Sequence, residues 1–307
     1  MRIIFFGTPE FAVPSLDTLR RGGHEVAAVV TQPDRPHGRS RSKLVPPPVK
    51  VAALAAGLEV LQPDRPVGDL FAATLRHHRA DLGVVAAYGH ILKPDILSIP
   101  ARGMINVHAS LLPRWRGAAP IQAAILHGDR VTGVSIMQME AGLDSGPVYL
   151  RRELPIGAED TADILTLRLA ELGAEALLEV VDALEGASLV PEAQREADAT
   201  FAPKINRTTA MVPWAKSAVE VALHLRAYDP WPGAGSEGPA GEVKLFTPRI
   251  AEGRGQPGEV LDATGALVIA CGDGAVQVAE VKASGGRRMA AVEWLRGRPI
   301  AVGDRLA

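Results

Sequence analysis

Short apolar runs separated by stretches of helical period set the rhythm of the first half of the chain. RIIFFG (2–7), EVAAVVT (25–31), DLGVVAAY (81–88), GMINVH (103–108) and VSIMQM (134–139) read as strands. Helices are expected within 11–21, near 49–56, over AAPIQAAILHG (118–128) and across 160–185. The last of these runs from Glu159-Asp160-Thr161 into a Leu/Ala-rich repeat that Gly186 is placed to stop. Strands and helices in alternation predict an α/β fold, a Rossmann-like parallel sheet covered on both faces.

The texture changes after the long helix. Residues 188 to 210 carry few periodic apolar positions and read as a linker. From Gly241 onward short strands dominate, in EVKLF, GEVLDA and ALVIACGDGAVQVAEV, with the CGDG turn at 271–274 as a hairpin signal. About a hundred residues of strands with glycine turns predict a small, OB-like β-barrel. The expected organisation is a catalytic domain over 1–189, a linker over 190–207 and a C-terminal β-barrel over 208–307.

Composition narrows this only a little. The chain has 307 residues, 47% of them hydrophobic, enough to bury a sizeable core. Its formal net charge is −2, so any attraction to a polyanion must come from a local patch. Cys271 is the single cysteine, which rules out an intramolecular disulfide and argues against a thiolate zinc site. No metal is expected. No apolar run approaches the length of a membrane span, and MRIIFFGTPEF lacks the layout of a signal peptide. The expected location is the cytoplasm.

The chemistry concentrates where GMINVH runs into INVHASLLPRWRGAAP (105–120). Residues i and i+2 of a strand share a face, so Asn106 and His108 project together from its carboxyl end. Ligands of open α/β sheets bind beyond those ends. Asp144, in EAGLDSGP after a later strand, belongs to the same edge. An amide, an imidazole and a carboxylate there suit acyl transfer to an amine. The amide can donate to the oxyanion, the imidazole can relay a proton and the carboxylate can orient the ring. A plainer account has Asn106 and His108 satisfying backbone groups and Asp144 making a turn. The first βα turn is GTPEFA, so the dinucleotide fingerprint fails there, and Walker and GxSxG motifs are absent.

A second feature follows the second strand. TQPDRPHGRSRSKLVPPPVK (31–50) holds Arg35, Arg39, Arg41, Lys43 and Lys50, with no acid between Arg35 and Leu58. Such a basic arm on a nearly neutral chain is an electrostatic footprint for phosphates. A solvated surface loop is the alternative. From Thr208 onward 11 Lys and Arg balance 11 Asp and Glu. Arg287 and Arg288 there make a small basic tip, and Trp231 in DPWPG reads as a packing corner.

RIIFFGTPEFA, VTQPDRPHGR, AAYGHIL, INVHASLLPRWRGAAPIQ and TGVSIMQMEAGLDSGP together resemble the 10-formyltetrahydrofolate-dependent formyltransferases. The PDRP loop and the C-terminal strands point to the branch acting on methionyl-tRNA. The resemblance covers nearly the whole chain. It implies formyl transfer from 10-formyltetrahydrofolate to the α-amine of methionine on initiator tRNA, in bacterial translation initiation, by a monomer. By matching motif, Asn106, His108 and Asp144 would be catalytic, and Ser110, Leu111, Leu112 and Pro113 would form the folate-binding turn. Tyr88 to Leu92 would help shape the pterin pocket. Arg35, Arg39, Arg41 and Lys43 would approach the tRNA. The arm RPHGRSRSKL departs from the more usual RPxGRxKKL-like spacing. Two other readings remain: transfer to a small amine such as glycinamide ribonucleotide or an amino sugar, and a non-catalytic nucleic-acid-binding module.

Overall fold

In the computed structural model RIIFFG forms β1 (Arg2–Gly7), from which the side chains of Ile3 to Phe6 are wholly removed from solvent. The structure describes residues 1–37, 43–186, 189–239, 241–297 and 300–307. In chain order β1 is followed by α1 (Val13–Arg21), β2 (Glu25–Val30), β3 (Arg35–His37), β4 (Lys43–Val45) and α2 (Pro48–Ala55). Next come β5 (Val60–Leu61), α3 (Asp69–His77), β6 (Leu82–Ala86), α4 (Pro94–Leu97) and β7 (Met104–His108). The middle of the chain contributes β8 (Arg116–Gly117), α5 (Pro120–Leu126), β9 (Val131–Gln138), β10 (Val148–Pro155), α6 (Ala162–Glu185) and β11 (Phe201–Ala202). The remainder holds α7 (Ala218–Ala227), β12 (Ala234–Gly238), β13 (Gly241–Ala251), β14 (Val260–Asp262), β15 (Leu267–Ala270), β16 (Ala275–Ala283), β17 (Met289–Ala290) and α8 (Ala291–Arg296).

The chain divides into two compact units and passes between them five times. The first comprises Met1–Gly117, Val131–Leu154 and Thr166–Phe201. The second comprises Ala118–Arg130, Pro155–Leu165 and Ala202–Ala307.

The first unit is built on a seven-stranded sheet in the order β10-β9-β7-β6-β1-β2-β5. From β5 to β7 neighbouring strands are parallel. A parallel sheet buries both faces, which is why these strands are nearly continuous apolar runs. Beyond β7 the parallel-dominated sheet takes on an antiparallel edge. β9 runs antiparallel to β7, with Asn106 opposite Met137 and His108 opposite Ser135. The apolar run VSIMQM located the strand but carried no information about its direction. One core cluster gathers Ile4, Phe6, Val30, Leu75, Val85 and Met104, with Phe6 edge-on to Tyr88 at 5.5 Å between centroids.

The second unit contains a curled antiparallel sheet, a half-barrel in the order β12-β13-β16-β15-β14, with β17 pairing β16. The CGDG hairpin is present: Cys271 N donates to Gly274 O at 2.9 Å, and Gly274 takes φ +75°, which glycine adopts without strain. Burial pushes the Cys271 thiol up to about 11, leaving it protonated and inert near neutrality. Helix α7 begins with a reciprocal capping box between Ser217 and Glu220. It packs against α5 of the same unit. Arg226 fastens the 155–165 segment as well, donating to Asp160 O at 2.8 Å and Gly157 O at 2.7 Å.

Two sequence readings of this unit are corrected. Trp231 is 63% exposed and is not a core corner. The buried group of that segment is Asp229, whose carboxylate takes Arg288 Nη1 at 2.7 Å and Nη2 at 3.1 Å. Nor is Arg288 an open basic tip. It also pairs with Glu280 and lies 4.2 Å over the Phe246 ring. Its charge is met by Asp229 and Glu280.

Candidate active site

The carboxyl edge of the first unit's sheet gathers the polar residues of the INVHASLLP stretch. On β7 the alternation holds: Ile105 and Val107 are buried in the sheet, and Asn106 and His108 share the other face. Asn106 is half-buried, and its amide has no hydrogen-bond partner among the described residues. His108 is only 5% exposed, so its position is fixed by its surroundings.

Those surroundings determine where a proton can sit. Nε2 of His108 lies 3.0 Å from the carbonyl oxygen of Trp115. A carbonyl only accepts, so Nε2 is the donor. Nδ1 faces Asp144 Oδ2 at 3.8 Å, beyond a direct hydrogen bond but close enough for charge to be felt. The ring therefore stands between two acceptors, with Nε2 turned to the carbonyl and Nδ1 to the carboxylate. Asp144 sits at φ +46°, a left-handed conformation unusual for a residue with a side chain. Its Oδ2 accepts from Gly117 N at 2.8 Å.

The turn after β7 is held at several points. Ser110 Oγ donates to Arg114 O at 2.5 Å, and Ser135 Oγ donates to Ser110 O at 2.7 Å. Ser135 also accepts from Leu112 N at 3.0 Å, and Arg151 Nε donates to Leu112 O at 2.7 Å. Leu112 is packed with Met137 and Val148, whereas Leu111 and Pro113 are half-buried. Trp115 N donates to Thr200 Oγ1 at 2.9 Å, which holds the carbonyl that His108 meets. Ser135, Arg151 and Thr200 escaped the reading of the sequence. Ser135 alone had a signal there, as a lone hydroxyl inside an apolar strand.

At the neighbouring end of β2 and β6, Tyr88 is buried, and burial pushes its phenol up to about 12. Its carbonyl accepts from Thr8 Oγ1 and from Gln32 Nε2, each at 2.9 Å. The root of the basic arm is tied to the same place. Lys50 Nζ meets both carboxylate oxygens of Asp34 at 2.8 Å, and Gln62 Nε2 donates to Asp34 Oδ1 at 2.8 Å and to Gln32 O at 2.9 Å. These bonds hold the Asp34 carboxyl below its ordinary range. Arg35 is exposed along its length but bonds back to the Gln32 amide. Lys43 starts β4, which pairs with β3 through His37. Arg39 and Arg41 lie outside the described residues.

These residues lie together on a parallel-dominated sheet, and comparison with known proteins gives the class. The family model for formyl transferase matches residues 1–181, and that for the formyl transferase C-terminal domain matches 204–299. A methionyl-tRNA formyltransferase of Dechloromonas aromatica is 49% identical over 99% of this chain and 98% of its own length. Another, of Ruegeria pomeroyi, is 47% identical over the full length of both. Among solved structures, HypX of Aquifex aeolicus in complex with tetrahydrofolic acid superposes with TM-score 0.68. That likeness covers 99% of this chain and 50% of HypX, at 22% identity. The chain belongs to the formyl transferase family, and within it to the methionyl-tRNA formyltransferases.

Proposed function

We propose that this protein transfers the formyl group of 10-formyltetrahydrofolate to the α-amine of methionine esterified to initiator tRNA. The observation that carries the reading at the atomic level is the unspent Asn106 amide. It stands on the same strand face as an imidazole held between a carbonyl and a carboxylate. A packing-only strand end would have no use for it.

The reaction needs three things from the chain. The amine nitrogen attacks the formyl carbon, and the carbonyl electron pair moves onto oxygen. Asn106 donates to that oxyanion, a contact that strengthens only as charge develops. A free α-amine has a pKa of about 7.7–8.0 and the ester lowers it, so only modest base help is required. The second need is at the leaving group: as the tetrahedral centre collapses, the bond from carbon to N10 breaks and N10 takes up a proton. His108 moves a proton between the incoming amine and N10, and Asp144 steadies the charged ring. The third is position. Ser110, Leu111, Leu112 and Pro113 would hold the folate, on a turn fastened by Ser135 and Arg151. The folate supplies the activated one-carbon unit; no metal takes part in the steps above.

Arg35, Arg39, Arg41 and Lys43 serve the tRNA, and the bonds of Lys50 and Gln62 to Asp34 fix the root from which β3 begins. Asp34→Ala is then expected to raise KM for tRNA several-fold with kcat and KM for folate little changed. Steady-state kinetics with each substrate varied in turn will show it, and a fall in kcat alone would remove the arm from tRNA recognition.

The deciding assay is transfer of labelled formyl from 10-formyltetrahydrofolate to methionyl initiator tRNA, with methionyl elongator tRNA and glycinamide ribonucleotide in parallel. Preference for the initiator is the expected outcome. Labelling of the small amine alone would keep the folate chemistry and overturn the tRNA substrate.

A further inference from the structure

The left-handed backbone of Asp144 is costly for a residue with a Cβ and persists only where its surroundings over-determine it. The carboxylate's bond to Gly117 N fixes the side chain, not the backbone. The backbone is held from the segment that reads in sequence as linker. Gln194 Nε2 donates to the carbonyl oxygens of Asp144 at 2.8 Å and Gly146 at 2.7 Å, spending both amide hydrogens on one loop. Its Oε1 accepts from Arg116 Nε at 3.0 Å. Only one orientation of the amide satisfies all three contacts.

Arg116 is itself fixed. It is 2% exposed, and Nη1 meets Glu196 at 2.8 and 3.1 Å. The strap is anchored at its other end by paired backbone bonds of 2.8 Å between Val148 and Glu192. Gly146 lies close against the end of β9, where a Cβ would fall far inside contact with the carbonyl oxygen of Gln138. The loop bearing Asp144 is thus gripped through its carbonyls by one side chain.

We propose that Gln194, seated by Arg116, is a positioning residue for formyl transfer. It holds the 144–146 backbone so that the Asp144 carboxylate faces His108. This rests on the catalytic reading of Asp144 given above. Gln194 touches no reacting atom, so its removal loosens geometry and leaves both substrate sites intact.

Two substitutions test it. Gln194→Ala is expected to lower kcat about 10- to 100-fold, the range for a small misplacement of a catalytic group. KM for folate and for tRNA should stay within about twofold. Gln194→Glu is the discriminating variant. It keeps length, volume and the oxygen that Arg116 needs, but sets an oxygen against the two loop carbonyls. It should therefore fall at least as far as the alanine variant. Rates are normalised to the folded fraction measured by circular dichroism, so that lost protein is not read as lost turnover. Wild-type turnover in Gln194→Glu would show that the residue merely seats Arg116, and would overturn the proposal. So would a rise in both KM values at unchanged kcat. A wild-type protein that transfers no formyl group would overturn the underlying reading instead.

Discussion

An alanine at position 108 is expected to lower kcat for formyl transfer by about two to four orders of magnitude. That corresponds to roughly 3–5 kcal/mol of transition-state stabilisation. The dissociation constant for folate should change far less. The ring makes its hydrogen bond to Trp115 O and faces Asp144, and neither contact belongs to the SLLP turn. In the proposed mechanism losing it removes the proton carrier without dismantling the turn, which Ser135 and Arg151 hold independently. His108→Asn is the companion variant, because it keeps a donor and most of the polarity but cannot relay a proton. Single-turnover rates and equilibrium folate titration separate the two quantities. If kcat and folate affinity fell together by similar factors, His108 would be part of the binding site and not the proton route.

The second large effect concerns packing. Gly133 lies in β9, and a Cβ there would be far inside contact with Arg152 O on β10. It would also stand 2.6 Å from Leu111 Cδ2. A backbone oxygen in a paired strand cannot step aside as a side chain can. Gly133→Ala is expected to destabilise the protein by about 1–3 kcal/mol, or several degrees in the unfolding midpoint at roughly 2–4 °C per kcal/mol. Activity should fall too, since the displaced Leu111 belongs to the proposed folate turn. Gly265→Ala, with nothing within 4 Å, serves as the control and should leave the midpoint unmoved. Equal midpoints for the two variants in thermal and urea unfolding would show that the β9–β10 pair yields more easily than its geometry implies.

What could be read from the sequence follows from where the signal lies. β1, β2, β6 and β7 were legible because strands buried on both faces are continuous apolar runs. β10, VYLRRELP, was not, since most of its residues are only half-buried and it carries Arg151 and Arg152. Helix α7 was missed although its S-x-x-E capping box stands in plain letters at Ser217 to Glu220. The direction of β9 was beyond reach, because antiparallel pairing is decided by partners and not by composition. The shared face of Asn106 and His108 came directly from strand alternation. The partners that hold them did not. Trp115 O and Thr200 act through backbone position and a long-range contact, and Gln194 lies in a stretch with no periodicity at all. Trp231 and Arg288 mislead for a related reason. Residue type gave the expected burial and charge, whereas a buried Asp229 reversed the roles.

The repeated passage of the chain between its two units has a consequence for dissection by truncation. A gene fragment ending in the 190–207 stretch would encode α5 and the 155–165 segment but not α7. Helix α5 would lose the helix it packs against, and the carbonyls of Gly157 and Asp160 would lose Arg226. The fragment would carry α5 without its packing partner, so its aggregation would say nothing about whether the catalytic chemistry is self-sufficient. A single stop codon does not separate the two units.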